Sequence, residues 1–264
     1  MASTRTPAGT SSAARTPTVD VRRARDRFVT DIGWLDSRHS FSFSHHRDPT
    51  NTHHGVLVVN NDDTVLAGTG FDTHPHRDME IVTWVMRGSL VHQDSTGHSG
   101  VIYPGLAQRM SAGTGILHSE KNDAWRHGRV QDEESVHFIQ MWVVPDERSI
   151  VPGYEQLEIE PQRLSGALVT VASGMARHAD DAAIRIQNRF AALHVARLAP
   201  GEAVTLPDAP YEHLFVARGE VELEGTGTLG DGDAARLSGI GAQRVSAVTP
   251  SEVLVWEMHA TLGA

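Results

Sequence analysis

The most informative stretch of this chain is THPHRDMEIVTWVMRG, residues 73–88, and a second one, SAGTGILHSEKN, occupies residues 111–122. Each holds a histidine-led pair, HPH at His74 and His76 and HSE at His118 and Glu120. Because residues i and i+2 of a strand point to the same face, each pair can present two side chains together. Three imidazoles and one carboxylate suit a first-row divalent ion such as iron, manganese, nickel or zinc, and the chain has no cysteine to bias the choice.

The sequence around these pairs predicts β structure. From Val56 onward, short runs of β-branched and aromatic residues alternate with turns rich in Gly, Pro, Asn and Asp, a rhythm typical of a sandwich or barrel. The strongest predicted strand is VHFIQMWVV, residues 136–144. It is largely apolar on both faces and is therefore expected to be central in its sheet.

The second half shows the same rhythm with different residues. Residues 150–161 are predicted to cross between the halves, and the later strands are ALVTVAS, LHVARLAPG, HLFVARGEVELE and EVLVWEM. The best helix candidate is the segment around Ala179–Ile186, which has two aspartates near its start. We therefore predict an all-β protein with few short helices, divided into a disordered tail over residues 1–20, a first barrel over 21–150 and a second barrel over 151–264.

Glycines and a glutamate frame the first histidine pair at defined spacings. This frame, Gly68, His74, His76, Glu80 and Gly88, resembles the first signature of the cupin superfamily, and residues 111–122 resemble the second. More specifically, the sequence of residues 33–122 resembles the sequences of the pirin family of bicupins. The resemblance implies two jelly-roll cupin barrels in tandem.

The same resemblance implies the ligand set. The usual cupin carboxylate would be Glu80, but Glu120 shares a strand face with His118 and competes for that position. In pirins the fourth ligand is the glutamate two residues after the last histidine, which carries over to Glu120. The implied metal ligands are thus His74, His76, His118 and Glu120, and Glu80 is expected to be structural or to hydrogen-bond a ligand imidazole.

The second half is expected to lack a metal site. When it is aligned on the same template, Leu206 and Asp208 stand at the histidine positions and Glu212 at that of Glu80. The later segment GDGDAARLSG, residues 230–239, contains no histidine. One divalent ion per chain is therefore predicted, with Fe(II) as the expected metal and other first-row ions as alternatives.

Most remaining histidines and aromatic residues are expected to be ordinary. Adjacent histidines would face opposite ways on a strand, so His45–His46 and His53–His54 are interpreted as loop or pocket-rim residues. Barrel packing is favoured over ligand stacking for the large aromatic side chains. The loop or pocket-rim interpretation also applies to His92, His98 and His137, and the packing interpretation applies to Trp84, Trp142 and Tyr103.

Charge and composition limit the partners. The formal net charge of −10 opposes a broad contact with nucleic acid, and the four arginines at positions 22, 23, 25 and 27 are expected to be solvated. No apolar run in the first twenty residues could serve as a secretion signal, and none anywhere approaches the roughly 20 residues of a membrane-spanning helix. A cytoplasmic protein without membrane contact is predicted.

The resemblance to pirins and to quercetin 2,3-dioxygenases implies an activity. The chain is expected to be a metal-dependent dioxygenase that cleaves a flavonol such as quercetin with O2, so its partners would be a small aromatic substrate and O2. Glu120 is the expected catalytic base for the 3-hydroxyl proton. The alternatives are a metal-based redox sensor that regulates a protein partner, and a cupin isomerase or other dioxygenase with a small diketone or phenolic substrate.

Overall fold

The computed structural model describes residues 17–122 and 135–263, which form two barrels, each made of a seven-stranded and a four-stranded sheet. The strands of the first barrel are β2 Phe28–Asp31, β3 Leu35–His39, β4 Leu57–Val65, β5 Gly70–His76, β6 Glu80–Arg87, β7 Leu90–Asp94, β8 Ser99–Ile102, β9 Leu106–Ser111, β10 Ile116–Asn122, β11 Val136–Val143 and β12 Gly153–Glu158. In its two sheets the strand orders are β12-β9-β6-β11-β4-β3-β2 and β5-β10-β7-β8.

The second barrel repeats this arrangement. Its strands are β1 Thr18–Arg22, β13 Val169–Ser173, β14 Ile184–Arg185, β15 Ala191–Leu198, β16 Ala203–Thr205, β17 Tyr211–Arg218, β18 Val221–Leu223, β19 Gly227–Leu229, β20 Ala234–Ser238, β21 Arg244–Ala247 and β22 Ser251–Met258. In its two sheets the strand orders are β1-β20-β17-β22-β15-β13-β14 and β16-β21-β18-β19. The prediction of an all-β protein with two barrels in tandem is confirmed.

Two strands pair with a different barrel from the one in which the predicted domain boundaries place them. Strand β1 pairs with β20 of the second barrel, although residues 18–20 were expected to belong to a disordered tail and 21–22 to the first domain. Strand β12, within the predicted crossing segment, pairs with β9 of the first barrel. Residues 1–16 of the predicted tail lie outside the described part of the chain. Sheet edges can take a strand from any point of the sequence, so turn spacing does not reveal such exchanges.

The predicted central strand lies where expected. Strand β11 pairs with β4 on one side and β6 on the other. Its side chains alternate between two cores: Phe138 packs inside the first barrel, whereas Ile139 and Met141 join a cluster that also holds Trp84 and Trp256 and fills the space between the barrels. Burial of both faces explains why the strand is almost continuously apolar.

The predicted helix at Ala179–Ile186 is wrong. A 3-10 turn at Ala176–His178 precedes that segment, and β14 lies within it, in parallel pairing with β13. Burial of Ile184 in the core between the barrels outweighs the weak helix signal. The helices in the described ranges are short 3-10 turns, and none could span a membrane.

Arg27 connects the two barrels. Its guanidinium donates to the carbonyl oxygens of Arg38 and Asn60 in the first barrel and of Gly232 in the second, and it contacts Asp62 at 3.3 Å. Its side chain is only 3% exposed. The expectation that the whole arginine cluster is solvated is therefore wrong for Arg27.

Candidate metal centre

The two predicted ligand pairs lie on neighbouring strands. Strands β5 and β10 run antiparallel, and His74 is the register partner of His118. A bulge separates His118 from Glu120, and there Gly70 approaches β10 so closely that a Cβ atom would lie 2.3 Å from the carbonyl oxygen of Glu120. The glycine that opens β5 therefore permits the strand contact that places the ligands.

The structure brings the three predicted histidine ligands together. One ligand nitrogen from each of His74, His76 and His118 lies within 4.8 Å of the other two. The Nε2 atoms of His74 and His118 are 3.1 Å apart. That separation is compatible with two imidazoles bound to one ion at about 2.1 Å.

The hydrogen bonds of these rings leave nitrogen lone pairs free, and these lone pairs are directed toward a common point. His74 donates from Nδ1 to the carbonyl oxygen of Asp72 at 2.7 Å, which leaves the lone pair on Nε2. His76 Nε2 is buried without a hydrogen-bond partner among the described residues. A buried, unpaired nitrogen beside two others facing the same space is the arrangement that a metal ion satisfies. The residues present thus fit a divalent first-row ion.

Burial keeps two of the imidazoles neutral, as metal ligands must be. Desolvation, followed by the neighbouring imidazoles, lowers the pKa of His76 to about 4. The same causes lower the pKa of His118 to about 3. At neutral pH both rings therefore offer lone pairs instead of competing protons.

Glu120, the predicted fourth ligand, is held by an amide that the sequence did not single out. Both carboxylate oxygens accept from Nε2 of Gln140, at 3.0 and 2.8 Å, and Glu120 is only 2% exposed. The carboxylate belongs to a second group, with His92 and His118, whose ligand atoms also lie within 4.8 Å of one another. The ligand role of Glu120 therefore stays a prediction.

An aromatic side chain forms part of the site. Trp142 donates from Nε1 to Oε1 of Gln140 at 3.0 Å, and its ring lies 4.8 Å from that of His76 and 5.5 Å from that of Phe43. Trp142 is half-buried and also packs against a core cluster that holds Ile81 and Met110, in agreement with the packing expected for it. Trp84, in contrast, is fully buried between the barrels, as packing predicts.

A series of hydrogen bonds connects His118 through His92 to Asp94. Asp94 accepts from His92 Nε2 at 3.3 Å, and His92 Nδ1 lies 3.3 Å from His118 Nδ1. Burial raises the pKa of Asp94, but hydrogen bonds from Thr96, His92 and His98 outweigh it and lower the pKa below its ordinary value. An ionised Asp94 fixes the His92 proton on Nε2, so His92 Nδ1 accepts the Nδ1 proton of His118 and the lone pair of His118 lies on Nε2.

This role of His92 differs from the loop or pocket-rim position expected for it from the sequence. The signal was the spacing of His92 and Asp94, two residues apart on β7 and on the same face. Its partners, however, lie on β10, and only the pairing of Glu120 with His92 and of His118 with Asp94 brings them together.

Replacing His92 by phenylalanine is expected to weaken metal binding about 10- to 100-fold, because His118 loses the acceptor that orients its ring. Phenylalanine preserves the ring packing on Tyr154, whose centroid is 4.8 Å away. Competition with a chromophoric chelator for Ni(II), a redox-stable probe, measures the change. The exposed His45 provides the control, His45→Phe, which should bind as wild type. A His92→Phe affinity within twofold of wild type would contradict the orienting role.

Glu80 faces away from the metal ligands. Its Oε2 accepts from Ser111 Oγ at 2.8 Å and from the backbone N–H of Gln187 at 2.9 Å. Of the two expectations for Glu80, the structural one is therefore correct, since the carboxylate ties β6 to the second barrel.

The second barrel has a different chemistry at the aligned positions. Leu206 is buried, Asp208 is exposed, and Glu212 is fully buried with no hydrogen-bond partner for either oxygen among the described residues. Within residues 17–122 and 135–263, both candidate ligand groups lie in the first barrel. The two groups share His118, and one ion per chain stays a prediction.

Comparisons with known proteins agree with the geometry. Residues 19–143 match the pirin family, and residues 170–258 match the quercetinase C-terminal cupin domain. A Mycobacterium tuberculosis protein provisionally named quercetin 2,3-dioxygenase is 60% identical over 94% of this chain and 98% of its own length. A quercetin 2,3-dioxygenase of Escherichia coli is 46% identical over 52% of this chain and 56% of its own length.

Solved structures give the same assignment. The crystal structure of YhhW from Escherichia coli superposes with a TM-score of 0.82 at 33% identity, covering 92% of this chain and 99% of that protein. A second structure, of the bacterial pirin YhhW in complex with nickel(II), superposes with a TM-score of 0.81 at 33% identity, covering 92% of this chain and 100% of that protein. Since the sequence match, the paired barrels and the converging histidines all agree, the chain belongs to the pirin family and its two barrels are cupin domains.

Proposed function

We propose that this chain is an iron-dependent dioxygenase that cleaves a flavonol such as quercetin with O2. The observation that carries the proposal is the convergence of His74, His76 and His118 beside the buried carboxylate of Glu120. Relatives named quercetin 2,3-dioxygenase support the reaction class.

The metal would be held by the three histidines, with Glu120 as the fourth ligand. When bound, Fe(II) would supply the Lewis acidity and redox chemistry that the reaction of a flavonol with O2 needs. The chain itself supplies imidazoles whose orientation is fixed by the hydrogen bonds from His74 to Asp72 and from His118 to His92. The Fe(II) assignment is tested by metal analysis of protein purified without added metal.

Glu120 is the proposed base. Its carboxylate would take the proton of the flavonol 3-hydroxyl, which converts the substrate to the anion that reacts. Gln140 holds both oxygens of Glu120 and is itself oriented by Trp142. Trp142 and Phe43 form an aromatic surface beside His76, against which a planar flavonol can stack.

An oxygen-electrode assay tests the reaction. Iron-loaded protein mixed with quercetin in air is expected to consume one O2 and release one carbon monoxide for each flavonol cleaved. Glu120→Gln is expected to lower kcat/KM about 10²- to 10⁴-fold, because the base is lost. Metal content, measured in the same samples, separates loss of the base from loss of the ion.

The exposed Glu160 gives a matched control, since Glu160→Gln makes the same chemical change away from the site and should not alter turnover. The dioxygenase proposal fails if iron-replete protein shows no turnover of quercetin and Glu120→Ala behaves as wild type. A parallel screen of simple phenolics and diketones identifies a different substrate of the same site.

A redox-sensing regulatory role is the second candidate, and a chain of rings favours it. Trp142 links His76 to Phe43, Phe43 stacks on His39 at 5.1 Å, and His39 stacks on Phe28, which is 39% exposed. A change in oxidation state at the metal would thus be connected to the surface by packed side chains. A pull-down with the Fe(II) and Fe(III) forms tests this role, and equal recovery of partners by both forms contradicts it.

A further inference from the structure

A cleft of about 440 Å³ lies between the two barrels, separate from the metal ligands. The first barrel contributes its outer face, where Arg38 is the register partner of Asp62 and His137 is the partner of both Thr64 and Arg87. The second barrel contributes the end of β17 with Arg218 and the turn between β19 and β20 with Asp231 and Gly232. Volumes of this size are typical of sites for small molecules.

The charge of the cleft is opposite to that of the protein. Three exposed arginines line it, Arg38, Arg87 and Arg218, in a chain of net charge −10. The charge of Asp62, one of the two lining aspartates, is compensated from behind, because its carboxylate accepts from His137 Nε2 at 2.6 Å and contacts Arg27 at 3.3 Å. The other, Asp231, accepts the backbone N–H of Gly219.

Arg38 and Arg218 make contacts within the protein that are weak enough to be exchanged. Arg38 lies 3.4 Å from Asp36 with both side chains more than 40% exposed. Arg218 donates to the carbonyl oxygen of Met86 at 3.4 Å. An exposed ion pair contributes little to stability, so a ligand that offers a better acceptor can replace these contacts.

We propose that this cleft binds a small organic or inorganic anion that carries phosphate or carboxylate groups. A guanidinium presents its N–H groups as a planar fork that matches the oxygens of either group, and two forks from opposite walls can hold one anion. Thr64 supplies a further hydrogen-bonding group on the floor of the cleft. The small volume of the cleft and the acidic remainder of the surface select a compact ligand over a nucleic acid.

The bound anion would contact both barrels at once. Arg38 and Arg87 belong to the first barrel and Arg218 to the second, so occupancy strengthens the packing of one barrel against the other. Because the ligand binds only the folded arrangement, it stabilises the whole chain by mass action. The proposal does not depend on the reaction at the metal, since no metal ligand lines the cleft.

Calorimetric titration of the full-length, metal-loaded protein tests the site, with inorganic phosphate, pyrophosphate and citrate at matched ionic strength and chloride as the reference salt. Saturable binding of at least one anion is expected, and whether the phosphates or citrate bind more tightly identifies the source of the anionic group. Arg218→Gln is expected to weaken that binding at least tenfold, and Arg38→Gln likewise.

Arg163→Gln is the matched control, because Arg163 is exposed and lies outside the cleft. It removes the same charge and should bind the anion as wild type. Thermal unfolding of each variant without ligand confirms that it is folded. The proposal is overturned if none of the three anions binds saturably, or if Arg218→Gln and Arg38→Gln bind as tightly as Arg163→Gln.

Discussion

Replacing Arg27 by methionine is expected to lower the free energy of unfolding by about 3–5 kcal/mol, as is usual when one partner of a buried ionic cluster is removed. The side chain bridges Arg38, Asn60 and Asp62 in the first barrel to Gly232 in the second. Its guanidinium also lies 5.1 Å from the centroid of the Phe215 ring. Methionine fills much of the volume but leaves these acceptors without their donor.

Denaturant unfolding of Arg27→Met and Arg25→Met measures this effect. Arg25 is two residues away and its side chain is 83% exposed, so Arg25→Met should change the unfolding free energy by less than about 0.5 kcal/mol. Arg27→Lys should not restore stability, because an ammonium cannot reach four acceptors in the geometry of a guanidinium fork. An Arg27→Met protein within 1 kcal/mol of Arg25→Met, a margin of about the usual surface effect, would show that the bridge does not hold the barrels together.

Replacing Glu212 by glutamine is expected to stabilise the protein above pH 8 and to leave its stability unchanged near pH 5. Burial, with a smaller contribution from Asp208, raises the pKa of Glu212 to about 8. The folded protein therefore keeps this proton between an ordinary carboxyl pKa and pH 8, whereas the unfolded chain loses it. Stability falls as pH rises through that window, by about 1.4 kcal/mol per pH unit at most.

Because glutamine cannot ionise, the difference in unfolding free energy between Glu212→Gln and wild type should grow from near zero at pH 5 to about 2–5 kcal/mol at pH 8.5. The metal ligands titrate in both proteins, so the difference isolates Glu212. The exposed Glu147 supplies the control variant Glu147→Gln, for which no such divergence is expected. A Glu212→Gln difference that is the same at both pH values would refute the assignment.

The part of the site that could be predicted from sequence is local. His74 with His76 and His118 with Glu120 are two-residue patterns on single strands, and strand geometry alone places each pair on one face. The all-β fold was likewise readable from alternating apolar runs and turns.

The supporting residues could not be predicted, because they are distant in sequence. Gln140 meets Glu120, and His92 meets His118, through pairings between β10 and its neighbours or across the barrel interior. The register between β5 and β10 shifts next to His118, where β5 has one residue more than β10, and no local pattern encodes this shift. The role of Glu80 was ambiguous for the same reason, since its partner Gln187 lies in the other barrel.

The sequence by itself thus determined the β class of this protein, its division into two β halves and the two residue pairs that are candidates for a metal site, because those features depend on the period of a strand and on motifs of a few residues. Only the tertiary structure decided that β1 and β12 complete opposite barrels, that Arg27 is a buried bridge and that three arginines line one cleft. Such features depend on strand pairing and burial between residues far apart in the chain, where each local segment is equally compatible with several partners.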